Sequence, residues 1–197
     1  NWLTGPVSSW YGVTVEGETV LKLIMYSNNL QGEIPSEVCN LTELTDLNLG
    51  HDSGLIGELP IEIGQLSQLQ GLFIGYCSLS GTIPNFIGNC TRLNFIELVK
   101  NNLSGPIPPE IGNLDSLRIL DLHDNQLSGP IPPELGNLDN LLELHLNKNS
   151  LTGKLPVNLG GILDNAGSSG YVLFDVSENQ LTYSIPFSWA NIEILFA

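Results

Sequence analysis

Positive charge is scarce in this chain. Six lysines and arginines stand against 21 aspartates and glutamates in 197 residues, which leaves a formal charge of −15. Nucleic-acid binding draws its affinity from basic side chains that displace counterions from phosphates. Here Lys22, Arg92, Lys100, Arg118, Lys148 and Lys154 are scattered among far more carboxylates. No nucleic-acid partner is expected; a cationic or neutral protein or peptide is. Long apolar runs are missing too: no stretch of 18 or more apolar residues occurs, so no segment is expected to span a bilayer. Cysteine is limited to Cys39, Cys77 and Cys90, whose spacing fits neither a zinc knuckle nor a secreted disulfide framework. A structural role is expected for each. Catalytic signatures are lacking: there is no phosphate-binding glycine loop, no metalloprotease helix motif and no serine-hydrolase elbow, so neither an enzyme nor a cofactor is expected. The chain opens on Asn1-Trp2 and closes on Ile194-Leu195-Phe196-Ala197, which reads as a processed or trimmed piece of something longer.

What is abundant is leucine at fixed intervals. The string L-x-x-L-x-x-L-x-L-x-x-N-x-L-x-G-x-I-P returns every 24 residues, most cleanly in residues 114–137, where Leu114, Leu117, Leu120, Leu122, Asn125, Leu127, Gly129, Ile131, Pro132, Leu135 and Gly136 fill it. Further copies occupy 17–40, 41–65, 66–89, 90–113 and 138–161, the second with one extra residue near Asp52-Ser53-Gly54. A seventh, 162–191, carries about six extra residues in 162–167 before Tyr171, Phe174, Val176, Asn179, Leu181, Ile185 and Pro186 resume the pattern, and an eighth starts at Ile192 and stops. Residues 1–16 read as an N-terminal capping segment and 17–197 as one repeat domain.

Each copy has a physical reading. The L-x-L step has period two, as in a short strand with leucines inward and the residue between them outward. The asparagine that follows is tolerable among leucines only if its amide satisfies backbone groups of neighbouring coils, so Asn28, Asn101, Asn125, Asn149 and Asn179 are expected to form a ladder, with Cys77 substituting in that column. Glycine and Ile-Pro end the local structure, because proline lacks a backbone N–H; the remainder is short enough for one helical turn. A single repeat cannot bury both leucine rows, so stability must come from stacking.

The segments Leu103–Leu114 and Leu127–Leu138, both L-S-G-P-I-P-P-E-[IL]-G-N-L in type, resemble the plant-specific class of leucine-rich repeats found in receptor kinases and polygalacturonase-inhibiting proteins. Similar repeats occur in algal and protist proteins. The resemblance implies an α/β solenoid, a curved right-handed superhelix with a parallel β-sheet on its concave face, and a second strand near L-x-G-x-I-P. Trp10-Tyr11-Gly12-Val13 is similar to the family's cap, but Ser8, Ser9 and Thr14 stand where cap cysteines are usual. That departure fits an algal or protist homologue, or a cap held by aromatic packing.

In a stacked coil the outward strand positions become columns. The residues between paired leucines are Ile24, Asn48, Phe73, Glu97, Asp121, His145 and Asp175; Lys22, Asp46, Gly71, Phe95, Ile119, Glu143 and Leu173 flank them on one side, and Tyr26, Gly50, Gly75, Val99, His123, Asn147 and Ser177 on the other. Two patches are expected: an apolar, aromatic one of Ile24, Tyr26, Phe73, Phe95 and Val99, and an acidic one of Glu97, Asp121, Glu143 and Asp175 with His123 and His145. The alternative for the first is mutual shielding, and for the second a solvated acidic face. Like charges about 5 Å apart repel by roughly 0.8 kcal/mol in water, so something cationic on a partner would answer the second patch.

Acceptor sequences for N-linked glycans begin at Asn40, Asn89 and Asn102, although Asn40 and Asn89 also close a repeat and follow from its pattern. The leading expectation is a protein or peptide recognition module, extracellular or lumenal, within a larger chain. The alternatives are an assembly subunit fixed in an intracellular complex, a polygalacturonase-inhibitor-like protein, and an ice binder. The last would want a regular threonine array, whereas Gln31, Ile56, Ser80, Ser104, Ser128, Thr152 and Thr182 are mixed.

Overall fold

The structure, a computed structural model, describes residues 11–164 and 173–182. Each L-x-L step supplies one short strand. Asp46–Asn48, Gly71–Phe73, Phe95–Glu97, Ile119–Asp121, Glu143–His145 and Leu173–Asp175 join Thr19–Ile24 side by side in a parallel sheet. Val13–Glu16 closes its N-terminal end by pairing antiparallel with Thr19–Ile24, so the expected cap and the first coil share one sheet. The expected cap residues Trp2, Ser8, Ser9 and Trp10 lie outside the described residues, as do Tyr171, Ile185, Pro186 and the eighth repeat.

The period-two pattern sets what goes inside. Leu47, Leu72, Ile96, Leu120, Leu144 and Phe174 at the strand centres are buried, and so are the rows Leu44, Leu69, Leu93, Leu117, Leu141 and Leu79, Leu103, Leu127, Leu151. They form one continuous core along the stack. The helical turn is a five-residue 3-10 helix in Ser36–Asn40, Ile61–Gln65, Asn85–Asn89, Pro109–Asn113 and Pro133–Asn137. Pro35, Pro60, Pro84, Pro108 and Pro132 stand at their N-caps, where a missing N–H costs nothing. The tighter 3-10 winding gains length with few residues, which suits a turn that must return within one coil. Where the seventh copy takes on extra residues, Leu159–Asp164 is α-helical instead. The second strands implied by the resemblance are present: Gly32–Glu33 pairs with Leu55–Ile56, and Ser104–Gly105, Gln126–Pro130, Ser150–Gly153 and Gln180–Leu181 form a parallel sheet.

The asparagine ladder forms over four coils. Asn125 Nδ2 donates to Leu98 O at 3.0 Å and to Leu122 O at 3.1 Å, while its Oδ1 accepts the Leu103 N–H at 3.1 Å. Asn101, Asn149 and Asn179 repeat the arrangement. Asn28 does not: its side chain is exposed, because the preceding element is the antiparallel hairpin and not another coil of the same shape. Its place at the start of the ladder goes to Asp52, 4% exposed, whose Oδ2 accepts the Asn28 N–H at 3.2 Å. Cys77 substitutes as expected, with Sγ 3.6 Å from Leu49 O. Cys39 and Cys90 are fully buried, and burial pushes their thiols up to about 11 and about 12.

Candidate functional site

The numbered columns are in register. Phe73 pairs with Glu97, Glu97 with Asp121, Asp121 with His145 and His145 with Asp175, and the flank runs from Gly71 through Phe95 and Ile119 to Glu143 and Leu173. All of these positions except Gly71 are partly or fully exposed, so they share the concave face that the sequence assigned to them.

The aromatic patch is smaller than its sequence suggests. Val99 is 5% exposed, not on the surface: Gly75 has no side chain, and Val99 Cγ1 fills the space where a Cβ would stand, only 2.7 Å from it. Phe73 folds back over Gly71, where a Cβ would lie 2.4 Å from Cε2 of the ring. That posture brings it against Phe95, with centroids 6.2 Å apart and planes inclined by 26°. Each ring is partly shielded by the other and partly open to solvent. Ile24 and Tyr26 are exposed, but Tyr26 belongs to a different group. It packs on His51 at 4.7 Å, His51 stacks on Tyr76 at 4.2 Å, and Lys100 Nζ sits 4.8 Å from the Tyr76 ring centroid.

Apart from Tyr26, this second row lies outside the outward columns that the period-two pattern marks. His51, Tyr76 and Lys100 occupy the slot just before the asparagine column, where Ser27, His51, Tyr76, Lys100, Asp124, Lys148 and Glu178 all have φ between 52° and 61°; Tyr26 joins them from the neighbouring outward column. A left-handed bend at every coil turns these side chains to the rim of the sheet. The available signal was the fixed slot itself, occupied by His51 and Tyr76 in successive copies.

The acidic residues line up on neighbouring strands, and two of them have a histidine ring nitrogen within hydrogen-bond reach. His123 Nδ1 lies 2.6 Å from Asp121 Oδ1, and His145 Nε2 lies 3.2 Å from Glu143 Oε2. Asp175 accepts the Ser177 N–H at 2.9 Å. Among the described residues Glu97 has no such partner; burial, then Asp121, then Glu143 push its carboxyl above the ordinary 4.5. Toward the N-terminus, Asp46 is paired with Lys22 at 2.9 Å. Among the described residues, no group of three or more histidine, cysteine or acidic side chains converges as a metal site would require. The chemistry on offer is contact chemistry: a stacked ring pair passing directly into a carboxylate field on an open sheet.

Elsewhere, an open groove follows Pro35, Pro60 and Pro84 on the flank, with Glu33, Glu58 and Glu110 along it. Glu110 Oε2 is buried there without a hydrogen-bond partner. Asn40, Asn89 and Asn102 are all exposed. The hydroxyls of Ser80 and Ser104 donate to Gly57 O and Gly81 O of the coil before each. No helix among the described residues is long and apolar enough to cross a membrane.

The family described as Leucine Rich Repeat matches residues 19–41, 68–90, 92–114, 116–138 and 140–162. No curated protein sequence matches the chain. Among solved structures, the plant peptide hormone receptor RGFR1 in complex with RGF2 superposes with a TM-score of 0.79 at 41% identity, over 85% of this chain and 26% of that one. The Arabidopsis receptor kinase HAESA, in complex with the peptide hormone IDA and the co-receptor SERK1, gives 0.80 at 28% identity over 100% and 37%. A plant ice-binding protein gives 0.76 at 30% identity over 88% and 55%. The chain thus spans only part of each, 26% and 37% of the two receptor chains and 55% of the third.

Proposed function

The chain belongs to the leucine-rich repeat family, of the plant type, and from that premise we propose that it is a recognition module that takes an extended peptide or a protein segment on its concave sheet. The observation that carries this is the join between Phe73–Phe95 and Glu97–Asp121 on adjacent strands: an apolar ring pair beside carboxylates that have no lysine or arginine partner among the described residues. A ligand with an apolar side chain next to a lysine or arginine would satisfy both. Two of the similar structures are receptors solved with peptide hormones, which supports the same reading, and an extracellular location with it. Ile24, Tyr26, Glu143, His123, His145 and Asp175 extend the surface toward either end. Val99 contributes only as packing beneath it.

The test is selection from a displayed random-peptide library, with Phe73→Ala/Phe95→Ala and Glu97→Gln/Asp121→Asn variants as counter-selection. Enriched peptides are expected to pair an apolar anchor with basic residues, and to lose about 10-fold or more in affinity on each variant. Peptides that bind both variants as well as the parent would remove the concave sheet from the site.

A further inference from the structure

We propose that Asn89 carries an N-linked glycan whose first sugar is seated on the ring of Phe86, an inference that rests on the extracellular reading above. Among the described residues, four of the five 3-10 helices have glutamate at their second residue, namely Glu37, Glu62, Glu110 and Glu134, and Asn85–Asn89 has phenylalanine there. The exception coincides with a complete acceptor sequence, Asn89-Cys90-Thr91, whereas Asn113 and Asn137 in the same slot are followed by Leu114-Asp115 and Leu138-Asp139 and cannot be acceptors.

Local geometry joins the two residues. A 3-10 helix has about three residues per turn, so side chains at i and i+3 eclipse, and Phe86 and Asn89 are such a pair. They line one shallow depression together with Ile61 of the preceding coil. Phe86 is 46% and Ile61 59% exposed, an apolar shelf in water beside an exposed acceptor amide. The C–H face of a pyranose ring covers such a shelf while its hydroxyls stay hydrated. Asn40, the other closing asparagine with a complete acceptor sequence, has Glu37 three residues before it. Asn102 lies on the second-strand flank, where its Oδ1 accepts from Gln126 Nε2 at 3.4 Å. Among these three, Asn89 alone has a ring at that spacing.

The attachment uses a lipid-diphosphate-linked oligosaccharide and the transferase of the secretory pathway. Asn89 Nδ2 attacks the anomeric carbon and an N–C bond forms. The C–O bond to phosphate breaks, its electron pair leaves with the lipid diphosphate, and the amide gives up one proton. The glycan then lies across Phe86 and Ile61.

The experiment is secretion of the full chain from a eukaryotic cell behind a leader, followed by intact-glycopeptide mass spectrometry. Thermal unfolding is then compared for four secreted forms: parent, Asn89→Gln, Phe86→Glu and the double variant. Phe86→Glu installs the residue of the four sister helices and keeps the fold. Asn89 is expected to be occupied, and losing its glycan should lower Tm by about 2–4 °C in the Phe86 background and not measurably in the Phe86→Glu background. An empty Asn89 in the secreted chain, or equal losses in both backgrounds, would overturn the proposal. Protein from its natural source bearing no glycan at any of the three asparagines would instead count against the extracellular reading, and the four-form comparison would still decide the seat.

Discussion

Asn101 Nδ2 donates to Ile74 O, one coil back, at 2.7 Å, and Asn101 Oδ1 accepts the Leu79 N–H at 3.0 Å. One side chain thereby fastens two coils and satisfies a backbone carbonyl and a backbone N–H of the coil before it. Asp52 holds the corresponding position two coils earlier and, when ionised, can only accept. Asp52→Asn keeps the bond from Asn28 and adds two donors that can face Leu49 and Met25 carbonyls, as Asn101 faces Leu98 and Ile74. Tm should rise by about 2–4 °C in differential scanning calorimetry. An unchanged or lower Tm would mean that the carboxylate is preferred there.

Val99 separates packing from recognition. Its side chain fills the space over Gly75, so Val99→Ala should cost about 2 kcal/mol in denaturant unfolding. Peptides selected on the concave sheet should keep their affinity for the variant within about 2-fold. Loss of binding without loss of stability would return Val99 to the contact surface.

Glu97 ties stability to pH. Its folded carboxyl titrates above the ordinary 4.5 because of burial, Asp121 and Glu143. The folded chain therefore holds this proton more tightly than the unfolded chain does, and stability falls as pH rises from the unfolded value through the folded one. Glu97→Gln removes that penalty. The variant should melt higher than the parent at pH 7, with the difference vanishing below about pH 4, and it should bind basic peptides less tightly. A constant difference across that range would contradict the assignment.

The three thiols should be silent in the native chain. Cys39 and Cys90 are fully buried with thiols pushed up to about 11 and about 12, and Cys77, also buried, is raised by desolvation. Iodoacetamide at pH 8 is expected to label none within the time that labels all three in denaturant. Labelling of one site at native conditions would mark local opening of its coil.

Much of this architecture was legible because a 24-residue period fixes register over many copies at once. A strand centre such as Leu120 and a ladder residue such as Asn125 are each confirmed by their equivalents in adjacent coils. What the period could not show was how neighbouring columns trade volume. Val99 is outward by register, yet the absent side chain of Gly75 draws it in; Phe73 is outward too, yet it lies down over Gly71 onto Phe95. Asn28 fits the string but has no coil of its own kind before it, and Asp52 fills a slot that the repeat pattern reserves for asparagine. The placing of His51, Tyr76 and Lys100 beside Tyr26 depends on backbone handedness, which a pattern of apolar residues does not encode.

The even stacking of the concave strands has a consequence for anything laid along it. Successive coils advance by about 4.8 Å, whereas an extended chain advances by about 3.4 Å per residue. The two rulers disagree at each step and come back into phase only after roughly five coils and seven residues. A bound peptide cannot meet this sheet as one repeat matched to another; it touches down at irregular intervals, like a vernier against its scale. Selectivity then comes from which side chains fall on a graduation, and inserting one residue between two anchors should abolish the fit even when both anchors are kept.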